Sequence, residues 1–244
     1  MRNVRLDLCY DGTRYKGWQR LPGADNTIQA KLETTLSRIL DETIEISGSG
    51  RTDAGTHAAM QVANFHCNNP MPCDQILSQL RRYLPEDIGV YSCRNVSERF
   101  HARLNAKTKT YVYRLWNTDA PCVFERKYVY VDARTVDIER MRVAATYFFG
   151  QHDFSAFCAN KNMKKSTVRY IESLDIERHE NIISFTVCGN GFLHHMVRIM
   201  VGTLLEVGRG ERDPHSIPQL FGAARADAGE LVPACGLMLK EVRY

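Results

Sequence analysis

Apolar and polar residues alternate near the start of the chain and predict a β-strand. In residues 4–8 every second side chain is apolar, which is the spacing of a strand with one buried face. Over residues 28–40 the apolar positions recur at helical spacing, and Thr27 stands where an N-cap is expected. The chain is therefore predicted to open with a strand and an amphipathic helix.

Three further strands and a second helix are predicted over residues 44–96. Residues 44–47, 60–67 and 88–96 have the composition of strands. Before the last of these strands, Asp74 is predicted to cap a helix that Pro85 stops. The inward side chains of this helix are predicted to be Ile76, Leu77, Leu80, Tyr83 and Leu84. The elements up to residue 96 thus follow the order β-α-β-β-α-β.

The second half of the chain repeats this order with one helix added. Its predicted strands are residues 108–116, 168–178, 182–188 and 236–242, and its predicted helices run from Asp137 to Gly150, over 192–207 and over 216–224. Such an order is typical of the split β-α-β arrangement, which packs two helices on one face of an antiparallel sheet. We expect an α+β fold of two halves, residues 1–106 and 107–244, with two open sheet faces at a shared cleft.

Composition and charge narrow the class of protein. The chain has 244 residues, of which 44% are hydrophobic, and a formal net charge of +4. That charge is too small to indicate nucleic-acid binding unless it is clustered on one face. No apolar run is long enough to span a membrane, so a soluble, intracellular protein is expected.

Metal binding is not expected from the cysteines and histidines. The eight cysteines are scattered singly, with no C-x-x-C pair to close a tetrahedral zinc site. His194 and His195 are adjacent in a predicted helix, so their side chains point about 100° apart. There is also no H-E-x-x-H spacing. We therefore predict no metal.

The segment G-S-G-R-T-D-A-G-T-H-A at residues 48–58 is the strongest candidate for chemistry. It lacks the lysine and the following helix of a phosphate-binding P-loop, and it lacks the third glycine of a dinucleotide loop. Asp53 has no acidic neighbour that would make it half of a glycosidase pair. Arg51 lies close by and favours the ionised carboxylate, which suits a nucleophile or a general base. A turn-capping role for Asp53 is the competing interpretation.

Two positions of the second half suggest partners for this loop. Arg198 lies among apolar residues of a predicted helix, so it must extend to solvent or meet a carboxylate such as Asp53. Lys109, Tyr111 and Tyr113 share one face of a strand. Alternating basic and aromatic residues resemble surfaces on which RNA bases stack, although a plain half-buried strand has the same composition.

Six blocks of sequence, in order, closely resemble the tRNA pseudouridine synthase A family. They are Y-D-G-T-x-Y-x-G-W-Q at 10–19, G-R-T-D-A-G-x-H-A at 50–58, F-H-A-R at 100–103, K-T-Y-x-Y at 109–113, G-F-L-H-H-M-V-R at 191–198 and P-A-x-G-L at 233–237. The resemblance covers nearly the whole chain. It implies two tandem ferredoxin-like halves with antiparallel sheets around a central catalytic cleft.

The same resemblance implies roles for individual residues. Asp53 matches the catalytic aspartate, and Arg51 matches a residue that helps to flip the target base. Tyr111 matches the tyrosine that stacks on the uracil, and Arg198 matches the arginine that pairs with the aspartate. The implied RNA contacts are Phe100, His101, Ala102, Arg103 and Leu104 and, by a looser match, Lys164, Lys165, Ser166 and Thr167.

The implied activity is conversion of uridine to pseudouridine in the anticodon arm of tRNA, typically at tRNA positions 38, 39 and 40. The resemblance also implies a cytoplasmic homodimer that binds tRNA and needs no cofactor. Thr56 stands where the family more often has valine, which leaves open a paralogue with a shifted choice of uridine. The alternative hypothesis is a non-catalytic tRNA-binding or RNA-chaperone protein on the same fold. The intact Asp53 speaks against it, because a binding protein need not retain that carboxylate.

Overall fold

The computed structural model describes residues 1–23, 25–160 and 165–244. The chain divides into two compact units, Met1–Lys107 with Met238–Tyr244 and Thr108–Leu237. The C-terminal residues thus group with the first unit, whereas the sequence pattern places all of residues 107–244 in one half. In the described part of the chain, no helix has both the length and the apolar character that a membrane span requires.

The described residues of the first unit form two helices and a mostly antiparallel sheet. Its elements are β1 (Arg2–Tyr10), α1 (Ile28–Leu40), β2 (Ile46–Gly48), β3 (His57–Cys67), α2 (Cys73–Tyr83), β4 (Ile88–Val96) and the late strand β10 (Leu237–Arg243). Apart from β10, this is the predicted β-α-β-β-α-β order. The strands are arranged β4-β1-β3, with β2 antiparallel and β10 parallel to β3. Strand β1 ends beside the start of β3, where Tyr10 lies opposite Ala58.

The helices of the first unit follow the prediction to different degrees. Thr27 caps α1 as predicted, because its side chain accepts a hydrogen bond from the backbone nitrogen of Ala30. The predicted cap of α2 at Asp74 is wrong, since that helix begins at Cys73 after Pro72. A proline suits this place because its missing N–H has no intrahelical acceptor at a helix start. Tyr83, predicted to face inward, is 46% exposed.

The described residues of the second unit form a four-stranded antiparallel sheet with one added strand. Its elements are β5 (Thr108–Trp116), β6 (Tyr130–Val131), α3 (Ile138–Thr146), β7 (Gly150–Asp153), β8 (Val168–His179), β9 (Ile182–Gly189) and α4 (Met196–Gly208). The strands are arranged β5-β9-β8-β7, and β6 is parallel to β5. Strands β6 and β7 were not predicted. The short helix predicted over residues 216–224 is a 3-10 helix at Pro214–Leu220.

Helix α4 begins later than the apolar pattern predicts. The predicted start was residue 192, but His195 has a φ of 64°, in the left-handed region that a helix interior does not adopt. The helix therefore begins at Met196. Almost all of its residues are buried, and it packs against α3. Asp137 caps α3 as predicted, since its side chain accepts from the backbone nitrogen of Arg140.

Candidate active site

Asp53 lies in the loop between β2 and β3 and begins a tight turn. Its carbonyl oxygen accepts a hydrogen bond from the backbone nitrogen of Thr56 across 3.1 Å. Gly55, the third residue of the turn, has a φ of 78°, which favours glycine. The backbone of Asp53 thus serves the turn, while its side chain is half-buried and Arg51 is exposed. The turn-forming and the catalytic interpretations of Asp53 are therefore compatible.

Buried side chains hold the loop on the N-terminal side of Asp53. The hydroxyls of Tyr10 and Thr52 lie 2.8 Å apart, and both residues are buried. Gln61 of β3 donates from Nε2 to the carbonyl oxygen of Gly50 across 3.1 Å. Burial raises the pKa of the Tyr10 hydroxyl to about 12, so this group remains protonated at neutral pH. The loop is consequently fixed by uncharged hydrogen bonds.

Two glycines of the 10–19 block allow the loop that contains them to pack directly against the Asp53 loop. A Cβ added to Gly12 would lie 2.0 Å from the carbonyl oxygen of Thr56, and one added to Gly17 would lie 2.6 Å from that of Thr52. Gly12 also donates from its backbone nitrogen to Nδ1 of His57 across 3.1 Å. No other residue type fits such close backbone contacts without a shift. The 10–19 block therefore supports the 50–58 block.

In the second unit, Tyr111 of β5 lies edge-on to Phe192, with ring centroids 5.1 Å apart and planes at 83°. Tyr113 is fully buried, and its hydroxyl donates to the carbonyl oxygen of Pro233 across 2.8 Å. Tyr113 therefore belongs to the core and cannot act as a stacking surface. Tyr111 is largely buried as well, at 7% exposed, so of the two tyrosines on this strand face it alone keeps some exposed surface for stacking. Lys109, two residues before it, is half-buried.

Arg198 lies in the first turns of α4 and is held from one side. Its Nε donates to the carbonyl oxygen of Val232 across 2.8 Å, and the residue is half-buried. Burial raises the pKa of the Tyr113 hydroxyl, and the nearby charge of Cys235 acts in the same direction, whereas the positive charge of Arg198 opposes them. The guanidinium therefore lies beside Val232, the residue before the Pro233–Leu237 block.

The implied RNA contacts differ in exposure. In residues 100–104, Ala102 is fully buried, whereas Leu104 is 77% exposed and Arg103 is exposed. Any part that Ala102 plays in RNA binding is therefore indirect. The other implied contact segment is exposed at Lys165 and Ser166, and its Thr167 donates from Oγ1 to Asp153. Lys164 lies outside the described residues.

Sequence reasoning did not assign the supporting residues. In the sequence, Tyr10, Gly12 and Gly17 stand out only as members of a matching block, with no role of their own. Gln61 carried no signal, because it looks like one polar residue within a strand. Its role follows from the register in which it lies opposite Leu8.

Comparisons with known proteins agree with the sequence blocks. A profile of the family described as tRNA pseudouridine synthase matches residues 9–105 and 144–244. A tRNA pseudouridine synthase A from Bacillus sp. (strain KSM-64) is 45% identical over 244 residues, and a tRNA pseudouridine synthase A 1 from Clostridium tetani (strain Massachusetts / E88) is 48% identical over 245 residues. Both matches cover 100% of each chain.

Likeness to solved structures is weaker. A crystal structure of the archaeal box H/ACA sRNP Nop10-Cbf5 complex matches with a TM-score of 0.38 and 12% identity, over 83% of this chain and 43% of that one. This likeness is too low to bear on the site. The family profile and the relatives that match over their whole length show that the chain belongs to the tRNA pseudouridine synthase family.

Proposed function

We propose that this enzyme converts uridine to pseudouridine in the anticodon arm of tRNA, typically at tRNA positions 38, 39 and 40, with Asp53 as its catalytic carboxylate. One observation carries the assignment of Asp53. Its half-buried side chain projects from a loop whose residues Gly50 and Thr52 are hydrogen-bonded to buried groups. A carboxylate on so constrained a backbone can meet a reacting atom without first being ordered. Relatives named tRNA pseudouridine synthase A support the substrate.

The reaction begins with exposure of the target nucleoside. A uridine in a paired stem hides its C1′ and C5 atoms, so it must leave the stack at a cost of a few kcal/mol. Arg51, which is exposed on the loop, is proposed to help this step. Tyr111 is proposed to stack on the uracil, and its edge contact with Phe192 supports a fixed ring orientation.

The chemistry is an isomerisation in which every non-hydrogen atom is retained. Ionised Asp53 either attacks C1′ of the ribose or removes a ribose proton, and the N1–C1′ bond breaks. The uracil then turns so that C5 bonds to C1′, which breaks the bond between Asp53 and C1′ in the first route and is completed by return of the proton to the ribose in the second. C5 then loses its proton and N1 gains one. Arg198 is proposed to pair with the carboxylate and keep it ionised. The atoms balance without a cofactor or a metal.

We also propose an architecture and partners for the protein. The strand order β4-β1-β3-β2 of the first unit and the repeated element pattern of the second support two tandem ferredoxin-like halves. The first half would carry the aspartate loop, and the second would carry Tyr111 and Arg198. We propose a cytoplasmic homodimer in which residues 100–104 and 164–167 contact the anticodon arm. The tRNA substrate supports the cytoplasmic location.

Pseudouridine mapping tests the proposed function. Unmodified tRNA transcript would be incubated with the wild-type protein or with Asp53→Asn, and pseudouridine would be located by carbodiimide primer extension. We expect stops in the anticodon arm with the wild type and none with the variant. Equal product from both proteins would refute the role of Asp53. Tight tRNA binding with every uridine unchanged by the wild type would instead favour the non-catalytic alternative.

A further inference from the structure

The segment that follows β4 is ordered by side chains rather than by helix or strand formation. Nδ2 of Asn3 donates to the carbonyl oxygen of Phe100 across 2.7 Å, and the backbone nitrogen of Ala102 donates to Oδ1 of Asn64 across 2.8 Å. The two asparagines are nearly fully buried and hydrogen-bond each other across 3.0 Å. The sheet therefore fixes the inner side of the segment.

On its outer side, the segment is held by its own hydrogen bonds and leaves two residues exposed. His101 donates from its backbone nitrogen to Oδ1 of Asn105 across 2.7 Å, and its Nδ1 accepts from the backbone nitrogen of Arg103 across 3.1 Å. These bonds bend the chain so that Arg103 and Leu104 are exposed while Ala102 is buried. A cation beside an apolar side chain is a suitable contact for a phosphate and an unstacked base.

Tyr244 also holds the segment in place. Its hydroxyl donates to the carbonyl oxygen of Ala102 across 2.7 Å, and its ring lies 5.1 Å from that of Phe100. The guanidinium carbon of Arg5 lies 4.6 Å from the centroid of the Tyr244 ring, and Asp7 holds that guanidinium across 2.7 Å. Burial raises the pKa of the Tyr244 hydroxyl, so it remains a donor across the physiological range.

Strand β10 brings Tyr244 to this position. Met238 and Leu239 pair with His57 and Ala58 of β3, and Arg243 accepts from the backbone nitrogen of Lys107 through its carbonyl oxygen across 2.8 Å. The last residues of the first unit thus connect the start of β3, next to the Asp53 loop, with the end of the 100–104 segment. This link is not visible in the sequence, because the residues that form it lie far apart along the chain.

We propose that Tyr244 is a positioning residue that holds Phe100–Leu104 in its tRNA-binding conformation before tRNA arrives. This proposal rests on the proposed function, because it takes the segment to contact tRNA. Ordering the segment in advance removes that cost from binding. Loss of the Tyr244 hydroxyl should therefore weaken tRNA binding without slowing the chemical step once tRNA is bound.

Single-turnover kinetics with the full-length chain test this proposal. The rate of pseudouridine formation in tRNA transcript would be measured against enzyme concentration for the wild type, Tyr244→Phe and the control Tyr83→Phe. Phenylalanine keeps the ring that contacts Phe100 and Arg5, so only the hydroxyl is lost. We expect the half-saturating concentration of Tyr244→Phe to rise about fivefold, as for one net hydrogen bond, with an unchanged maximal rate. Tyr83→Phe should match the wild type.

A second substitution shows whether Tyr244 acts through the segment. Arg103→Ala should weaken binding in the wild type and should weaken it less in Tyr244→Phe, because the two changes affect one contact. The proposal is overturned if Tyr244→Phe half-saturates like the wild type, if it lowers only the maximal rate, or if the two effects simply add. Failure of the wild type to form any pseudouridine would refute the proposed function instead.

Discussion

Gln61 donates a hydrogen bond from its fully buried side chain to the carbonyl oxygen of Gly50, three residues before Asp53. Its Oε1 accepts from the hydroxyl of Ser49 across 2.5 Å. Because Gln61 belongs to β3, which pairs with β1 in the sheet, the position of the Asp53 loop is set by the sheet itself. A strand holds its side chains more rigidly than a loop does, and catalytic groups need that precision.

Replacing Gln61 by methionine should therefore slow catalysis. The change keeps the length of the side chain but leaves the buried hydroxyl of Ser49 and the carbonyl of Gly50 without this partner, which costs about 1–3 kcal/mol of unfolding free energy per buried group. We expect the single-turnover rate to fall by about ten- to a hundredfold through displacement of Asp53. The tRNA affinity should stay near the wild-type value.

Quenched-flow kinetics and urea unfolding would measure these effects, with Gln75→Met as the control. Gln75 is exposed on α2, so its substitution should change neither quantity. A Gln61→Met protein that is less stable but reacts at the wild-type rate would show that Gln61 serves stability alone.

Gly12 should tolerate no side chain. Alanine there would place a Cβ 2.0 Å from the carbonyl oxygen of Thr56, so one of two backbone segments must move. We expect a loss of about 3 kcal/mol or more of unfolding free energy, at the upper end for an overpacked site. Gly23 is the control, since its Cβ would meet nothing within 4 Å and only its φ of 70° disfavours alanine, at about 1 kcal/mol. Similar urea midpoints for the two variants would contradict this account.

Asp132 should make the stability of the second unit depend on pH. Burial raises the pKa of this carboxyl, but hydrogen bonds from Arg134 and the charge of Arg209 outweigh burial and hold the pKa below its ordinary value. A carboxyl whose pKa is lowered by folding stabilises the protein above its unfolded pKa of about 3.9, and this stabilisation is lost as pH falls through the folded value.

Asp132→Asn should consequently be less stable than the wild type at neutral pH, and the gap should close below about pH 4. Urea unfolding of both proteins across this range would measure the gap. Asp119→Asn is the control because Asp119 is exposed in the same unit. A gap that stays constant down to the lowest pH would show that the charge of Asp132 contributes nothing.

Arg198→Ala is expected to lose nearly all activity and to keep most of its affinity for tRNA. The proposed role of Arg198 is to hold Asp53 ionised and oriented, which concerns the transition state rather than binding. Arg198→Lys should not restore activity, since lysine lacks the Nε that bonds Val232. Reaction kinetics and filter binding of tRNA would be measured for both Arg198 variants. Arg140→Ala, at an exposed position on α3, is the control. A large fall in affinity would identify Arg198 as a phosphate contact.

Local signals in the sequence predict most helices and strands but fail at particular boundaries. Thr27 and the apolar spacing behind it are enough to predict α1, and β5 is predicted to the residue. The start of α4 is missed because Phe192 and Leu193 continue its apolar pattern, and only the left-handed backbone of His195 prevents the helix from beginning earlier than Met196. Strands as short as β6 and β7 leave too few residues for a period to be visible.

Sequence signals likewise predict some residues of the candidate site and miss others. Asp53 and Arg198 stand in unusual local contexts, and the family resemblance adds their roles. Tyr10, Gln61 and Tyr244 act through contacts with residues far away in sequence, which depend on strand pairing and on the return of β10 to the first unit. Such contacts are set by tertiary structure and carry no local pattern.

The most direct test of the central claim is the single-turnover release of tritium from C5 of tRNA labelled with [5-³H]uridine, because that hydrogen leaves only when C5 bonds to C1′. The wild type should release label from the anticodon arm. Asp53→Asn, which keeps the size of the side chain, should bind the tRNA with near wild-type affinity and release no label above background. Release by Asp53→Asn within about tenfold of the wild-type rate, a barrier difference of only about 1.4 kcal/mol, would contradict the assignment of Asp53 as the catalytic carboxylate.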